Sequence, residues 1–227
     1  MQDISPYLPL IARSALFANV DASSVSAMLG CLDARIASYE KGETIFRAGD
    51  TSRVMGLVLE GGARIEREDY WGNRSILGTF GPGQTFGEAF ACQPGQPFDV
   101  NVIAPAPATI LLLDVQRVVT MCSSNCVFHA QLIRNLLNIV AKRTHALTRK
   151  IEHISKRTTR AKLLSYLSDQ AAAHGSRRFS IPFDRQELAD YLSVDRSAMS
   201  AELSRMKRDG ILDYHKNSFE LKRKDPA

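Results

Sequence analysis

Residues 183–200 read FDRQELADYLSVDRSAMS, and residues 203–211 continue as LSRMKRDGI. Asp184 is a good helix N-cap, and Glu187 three residues later completes a capping box for a helix running through Leu192. A short turn at Ser193-Val194 leads to a second helix, with Asp195 as its cap and Gly210 as its stop. Met199, Leu203 and Met206 give that helix an apolar side, surrounded by Arg196, Ser197, Ser200, Ser204, Arg205 and Lys207. Ile211–Tyr214 and Ser218–Leu221, joined by His215-Lys216-Asn217, then form a small hairpin. Two short helices on a tight turn followed by a hairpin make a winged helix-turn-helix.

A helix of this diameter fits the DNA major groove, and its N-terminal turns reach base edges. Arg196 is the natural base reader, because its planar fork can donate twice to guanine. Asp195, Ser197 and Ser200 share its turns, while Arg185, Gln186 and Lys216 are placed to hold phosphates. Charge supports the reading. Residues 129–227 hold twenty Lys/Arg against eleven Asp/Glu, whereas residues 1–128 hold nine against thirteen. A basic back half is the usual footprint of nucleic-acid binding, with a solvated basic surface as the plain alternative.

Upstream, Arg160–Ala173 is a helix stopped near Gly175, and Phe179–Pro182 a short strand. Before them a long helix spans about Phe128–His153. Ile133, Leu137, Val140, Thr144, Leu147, Ile151 and Ile154 repeat in it at spacings of four and three. That is a coiled-coil seam interrupted once by Thr144, so a homodimer is expected over a monomer's core helix. Further upstream lie short β-like runs at Thr44–Arg47, Val54–Glu60, Ala63–Arg67, Ser75–Phe80, Val100–Ala104 and Thr109–Leu113, separated by Gly- and Pro-rich turns. Such spacing argues a barrel or jelly roll. Residues 4–32 read as helical, with Val25, Met28, Leu29 and Leu32 at helical spacing.

These stretches resemble the cyclic-AMP receptor/fumarate-nitrate regulator (Crp/Fnr) family. The helix-turn-helix residues above match its DNA-binding domain, and Gly83-Gln-Thr-Phe-Gly87-Glu88 resembles its sensor motif Gly-Asp-x-Phe-Gly-Glu. The resemblance covers essentially the whole chain and implies an α+β protein in three parts. These are an effector-sensing, cyclic-nucleotide-binding-like β-roll (1–127), a coiled-coil dimerisation helix (128–154) and a winged-helix DNA-binding domain (155–227). It further implies a cytoplasmic bacterial transcription regulator with a palindromic DNA operator, RNA polymerase as a partner if it activates, and a hinge near Ser155–Thr159.

Departures from the family matter. Cyclic-AMP-binding members follow Gly-Glu about ten residues later with an Arg-Ser pair for the cyclic phosphate; those positions are Phe98 and Asp99. A phenyl ring and a carboxylate supply none of the positive charge a phosphodiester needs, so cyclic AMP in that pose is not expected. The resemblance instead implies a pocket for another small molecule, or none, from Phe86, Gly87, Glu88, Phe98, Asp99, Val100, Arg143 and Thr144, with Asp99 and Arg143 as an ion pair. In the recognition helix Ser197 and Ala201 replace two of the family's base-reading residues, so the operator should differ.

Cys122, Cys126 and His129 fall at i, i+4 and i+7, a weak candidate for a metal or redox site. Three ligands are one short of a closed zinc site. The front half has no histidine to ligate haem, and only Cys31 precedes Cys92, so neither haem nor an iron–sulfur cluster is expected. No Walker loop, His-Glu-x-x-His or Gly-x-Ser-x-Gly appears, so no enzyme is expected. Glu66, Glu68 and Asp69 read as a solvated hairpin edge. No apolar run approaches the length of a membrane span, and the N-terminus lacks a basic signal region. The alternatives carried forward are a sensor module acting through protein–protein contacts and a redox-responsive regulator using Cys122 and Cys126.

Overall fold

A computed structural model describes residues 3–68, 70–71, 74–119 and 127–222. It divides into two compact units, Met1–Lys142 and Arg143–Ala227.

The first unit opens with α1 (Leu8–Arg13) and α2 (Ala22–Cys31) rather than one continuous helix. Ser14 ends α1: its backbone turns extended and its hydroxyl donates to the Ile11 carbonyl at 2.7 Å. Asp21 then caps α2 by accepting from the Ser24 amide. The apolar spacing still holds, since Val25, Met28, Leu29 and Leu32 are all buried.

Eight strands follow, with two short helices among them. They are β1 (Arg35–Tyr39), β2 (Thr44–Phe46), β3 (Val54–Glu60), β4 (Ala63–Glu68), β5 (Arg74–Phe80), β6 (Thr85–Phe86), α3 (Glu88–Ala91), β7 (Asn101–Ile103), β8 (Ala108–Asp114) and α4 (Val115–Val119). They make two four-stranded antiparallel sheets ordered β1-β8-β3-β6 and β2-β7-β4-β5. The six strand runs anticipated from sequence all appear within two residues of their limits. β1 and β6 do not announce themselves, because β1 mixes exposed and half-buried residues and β6 is only two residues long.

β3 shows why its run is almost wholly apolar. Met55, Leu57 and Leu59 join one core with Leu111 and Leu113 of β8, whereas Val58 joins another with Ile110 and Phe86. Alternate side chains of a strand point to opposite faces, so a strand covered on both sides carries no polar register. Gly56 is fixed by the same packing: a Cβ there would lie 2.2 Å from the Phe86 ring.

The long helix α5 (Val127–Ile154) begins in this unit. Its core-facing residues are Leu132, Leu136 and Ile139, which join the same core as α1 and α2. They are not the seam residues. Leu137, Leu147 and Ile151 remain 64%, 61% and 59% exposed.

In the second unit α6 (Thr159–His174), β9 (Arg178–Ser180), α7 (Arg185–Leu192), α8 (Arg196–Arg208), β10 (Leu212–His215) and β11 (Ser218–Leu221) enclose one core. The strands form an antiparallel sheet ordered β10-β11-β9. Gly175, at φ +59°, ends α6 in the left-handed conformation that favours glycine. Among the described residues no helix is long and apolar enough to cross a membrane.

Candidate nucleic-acid interface and sensor unit

The helix-turn-helix is built by its caps. The Asp184 carboxylate accepts from the Glu187 amide at 2.8 Å while the Glu187 carboxylate accepts from the Asp184 amide at 2.7 Å, closing the capping box. Ser193 ends α7 at φ +51°, and Asp195 starts α8 by accepting from the Ala198 amide. Those bonds to Ser197 and Ala198 hold the exposed Asp195 carboxyl below its usual range. Leu188, Ala189 and Leu192 of α7 share one core with Met199, Leu203 and Met206 of α8. The tight turn and this shared core orient the outer face of α8.

Two α6 residues brace this arrangement. The Lys162 ammonium donates to the Leu192 and Ser193 carbonyls at 3.1 and 3.2 Å, occupying the otherwise unsatisfied C-terminal end of α7. Arg160 reaches across to α8, donating to Glu202 at 2.5 Å and Asp209 at 2.6 Å. Sequence reading missed both, because their partners lie about 30 to 50 residues away and no local pattern encodes them.

The anticipated DNA contacts separate into two groups. Arg196, Ser197 and Lys216 are exposed and Ser200 half-buried, with Arg196 in the first turn of α8. Lys216 takes φ +52° at the tip of the β10–β11 hairpin, and Asn217 beside it anchors the tip by donating to the Ile181 carbonyl. Arg185 differs from expectation. Its guanidinium lies over the Tyr214 and Phe219 rings at 4.8 and 5.2 Å, and burial lowers its pKa. It therefore ties the start of α7 to the wing by cation–π contact. Gln186 is exposed and donates to Asp190 within its own helix. Arg185 and Lys216 both line a cleft of about 470 Å³ between the first turn of α7 and the hairpin.

In the first unit, Gly87 adopts φ +79° and leads directly into Glu88, which is 1% exposed. Phe98 is buried at 2% and does not face open space. Its ring stacks on Phe46 at 5.0 Å and packs on Phe90 at 4.7 Å. Phe86 extends the cluster, 5.7 Å from Phe46 and 5.9 Å from Phe80. Asp99, which leads into β7, pairs with Arg67 of the adjacent strand β4. Arg143 and Thr144 belong to the second unit, where burial brings the Arg143 pKa down to about 10.

Among the described residues an open concavity of this unit lies elsewhere. About 780 Å³ in volume, it is lined by Arg47, Arg64, Glu66, Glu68, Asp99 and Asn101, with Val100 also at its wall. Of the expected effector residues, Asp99 and Val100 line this concavity, while Phe86, Gly87, Glu88 and Phe98 do not. Glu66 corrects the reading of a solvated edge: it is 8% exposed and accepts from Arg64 at 2.6 Å. Asp69, Cys122 and Cys126 lie outside the described residues. His129 is buried, with Nε2 at 3.2 Å from the Arg117 carbonyl.

Two family models match this sequence. A cyclic nucleotide-binding domain matches residues 36–125, and a Crp-like helix-turn-helix domain matches residues 161–226, about two thirds of the chain between them. The chain belongs to the Crp/Fnr family of transcriptional regulators. The regulator is 24% identical to the transcriptional activator protein FnrA of Stutzerimonas stutzeri over 179 residues, covering 77% of this chain and 71% of that one. Among solved structures it resembles the OCPA complex of CprK, with a TM-score of 0.63 at 17% identity over 86% of this chain and 88% of that one. It also resembles the c-di-GMP-responsive regulator CLP of Xanthomonas campestris, with a TM-score of 0.59 at 19% identity over 89% and 100% of the two chains. The regulator is a DNA-binding, non-enzymatic protein with an N-terminal sensor domain.

Proposed function

We propose that the regulator binds a two-fold DNA operator as a homodimer, with α8 of each protomer in a major groove and Arg196 donating to a guanine. The observation that carries this is the outer face of α8. Arg196 stands exposed in its first turn, on a helix that Met199, Leu203 and Met206 lock onto the core. Lys216, exposed at the tip of the β10–β11 hairpin, adds a phosphate contact from the wing. Leu137, Leu147 and Ile151 support the dimer. They are exposed apolar residues at seam spacing, of the kind a second copy of α5 covers.

The sensor input is a small molecule other than cyclic AMP, or none. Phe98 stands at the position of the family's phosphate-binding arginine, packed between Phe46 and Phe90 in a cluster that Phe86 and Phe80 continue. Polar ligands have the Arg64- and Asp99-lined concavity instead. An effector acts by binding the DNA-competent arrangement of the dimer more tightly than the other.

Binding to a random-sequence duplex, followed by fluorescence anisotropy from about 50 to about 200 mM salt, tests the DNA reading. With about six to ten phosphate contacts, affinity should fall by about 10³–10⁵. A flat salt profile overturns it and favours a sensor acting through protein contacts. Sedimentation equilibrium should give a dimer; a monomer that still binds DNA tightly overturns the two-fold operator. Calorimetric titration with cyclic AMP should show no binding.

A further inference from the structure

The outer face of α8 contains few groups able to read a base, which narrows the operator. Opposite the buried Met199, Leu203 and Met206, the line Ser197, Ala201, Ser204, Arg208 repeats at spacings of four, three and four. A serine hydroxyl has one proton to donate. Ser200 donates its proton to the Arg196 carbonyl at 2.9 Å, and Ser204 donates to the Ser200 carbonyl at 3.0 Å. Ser197 donates to the Asp195 carboxylate.

The charged neighbours each have a partner as well. Arg205 donates to Glu202 at 3.2 Å, Glu202 also accepts from Arg160, and Lys207 pairs with Asp213 at 2.6 Å. Arg208 ends the helix, three turns beyond the residues that enter a groove first. Among the described residues the Arg196 side chain makes no hydrogen bond or ion pair, so its whole guanidinium fork is available to a base edge. What remains on the line between Ser197 and Ser204 is the exposed methyl group of Ala201. An exposed methyl flanked by short side chains lets the helix approach closely and matches one feature of the major groove, the C5-methyl of thymine.

We infer that Ala201 is a specificity-determining residue: its methyl packs on a thymine methyl in each half-site, next to the guanine taken by Arg196. This rests on the DNA reading above and names the second base class that α8 recognises. Serine oxygens at 197, 200 and 204 keep lone pairs to accept from cytosine or adenine amino groups, and they add no demand for thymine.

The test uses the full-length protein. The operator is first recovered by selection from a random duplex pool, then resynthesised with deoxyuridine replacing each thymidine in turn. At one half-site position the loss of the methyl should weaken binding about four-fold, the value of one buried methyl group. Ala201→Gly and Ala201→Ser should each bind thymidine and deoxyuridine operators alike, while Ala198→Ser keeps the discrimination. Circular dichroism checks that each variant retains its helix. Equal affinity at every uridine position overturns the inference and leaves DNA binding intact, as does discrimination that survives in both Ala201 variants. A pool that yields no motif overturns both.

Discussion

The surroundings of Phe98 and the outer face of α8 both lack charges that the family's pattern supplies, and the structure handles the two losses differently. Around Phe98 the change is absorbed by packing: Phe46 and Phe90 lie against its ring, and Phe86 and Phe80 continue the cluster. On α8, Ser197 and Ala201 simply leave the surface flatter, and the core beneath them is the same Met199, Leu203 and Met206 that any helix at this place needs. A buried departure recruits its neighbours, because an interior is close-packed and a vacated volume must be filled. An exposed departure changes what the surface recognises without altering the fold. Stability and specificity should therefore separate cleanly between the two regions.

The largest effect follows at the buried site. Phe98→Ala should destabilise by about 3–5 kcal/mol, as removing a fully buried phenyl ring leaves a cavity. Hydrogen exchange should show lost protection in β3 and β8 while the amides of α8 keep theirs. Equal loss in both units would mean that the two do not behave as separable regions. The converse experiment is Arg196→Ala. It should cost about 1–3 kcal/mol in operator affinity and relax one base position, with thermal stability within about 0.5 kcal/mol of the parent. A large fall in melting temperature would show that Arg196 supports the fold and would weaken the comparison.

A smaller effect sharpens it from inside the DNA-binding unit. Asp184→Ala removes one half of the capping box on α7 and should cost about 0.5–2 kcal/mol of stability. Denaturant unfolding read by α7 and α8 amides measures it. An unchanged midpoint would mean that the Lys162 bonds at the other end of α7 carry the helix alone.

How much of this was legible differs in the same way. Asp184, Glu187, Asp195 and Gly210 mark the helix-turn-helix because caps and stops act on neighbours a few residues away, and the observed boundaries follow them closely. The six strand runs were legible from turn residues and β-branched content. What sequence could not show was contact between distant residues: Phe98 on Phe46, Asp99 on Arg67, Arg160 on Glu202 and Arg185 over Tyr214. Each pairs residues about 30 to 50 positions apart, and a list of residue types does not encode which arginine meets which carboxylate. Glu66 shows the cost of reading locally: charge runs on hairpins are usually solvated, and here Arg64 and the concavity wall bury it.

The smallest effect belongs to His153, at the end of α5, where the two kinds of region meet in one residue. Its ring is buried, yet it is polar: Nδ1 lies 3.0 Å from the Ser165 hydroxyl and Nε2 3.6 Å from the Asp169 carboxylate. Tyr166 and Tyr191 pack on it from α6 and α7, and Arg149, Glu152 and Lys156 act on it from its own side. Burial lowers its pKa below the usual 6.5 more than Asp169 and Glu152 raise it. The unfolded chain then binds the proton more tightly than the folded one, so stability is lost as pH falls through 6.5 towards the folded value and is fully present above 6.5. Asp169 offsets part of the burial cost, which keeps the effect modest. Melting temperature should therefore decline more steeply between about pH 7 and about pH 5.5 in the parent than in His153→Gln, which cannot take up a proton. A parallel decline in the two proteins would show that His153 does not set the acid sensitivity in this range, since a carboxylate such as Asp213, held below its ordinary 3.8 by Lys207, acts only at lower pH. A decline that instead reverses below pH 6.5 would show that protonated His153 gains more from Asp169 than burial costs it, placing this residue with the charged surface rather than with the core.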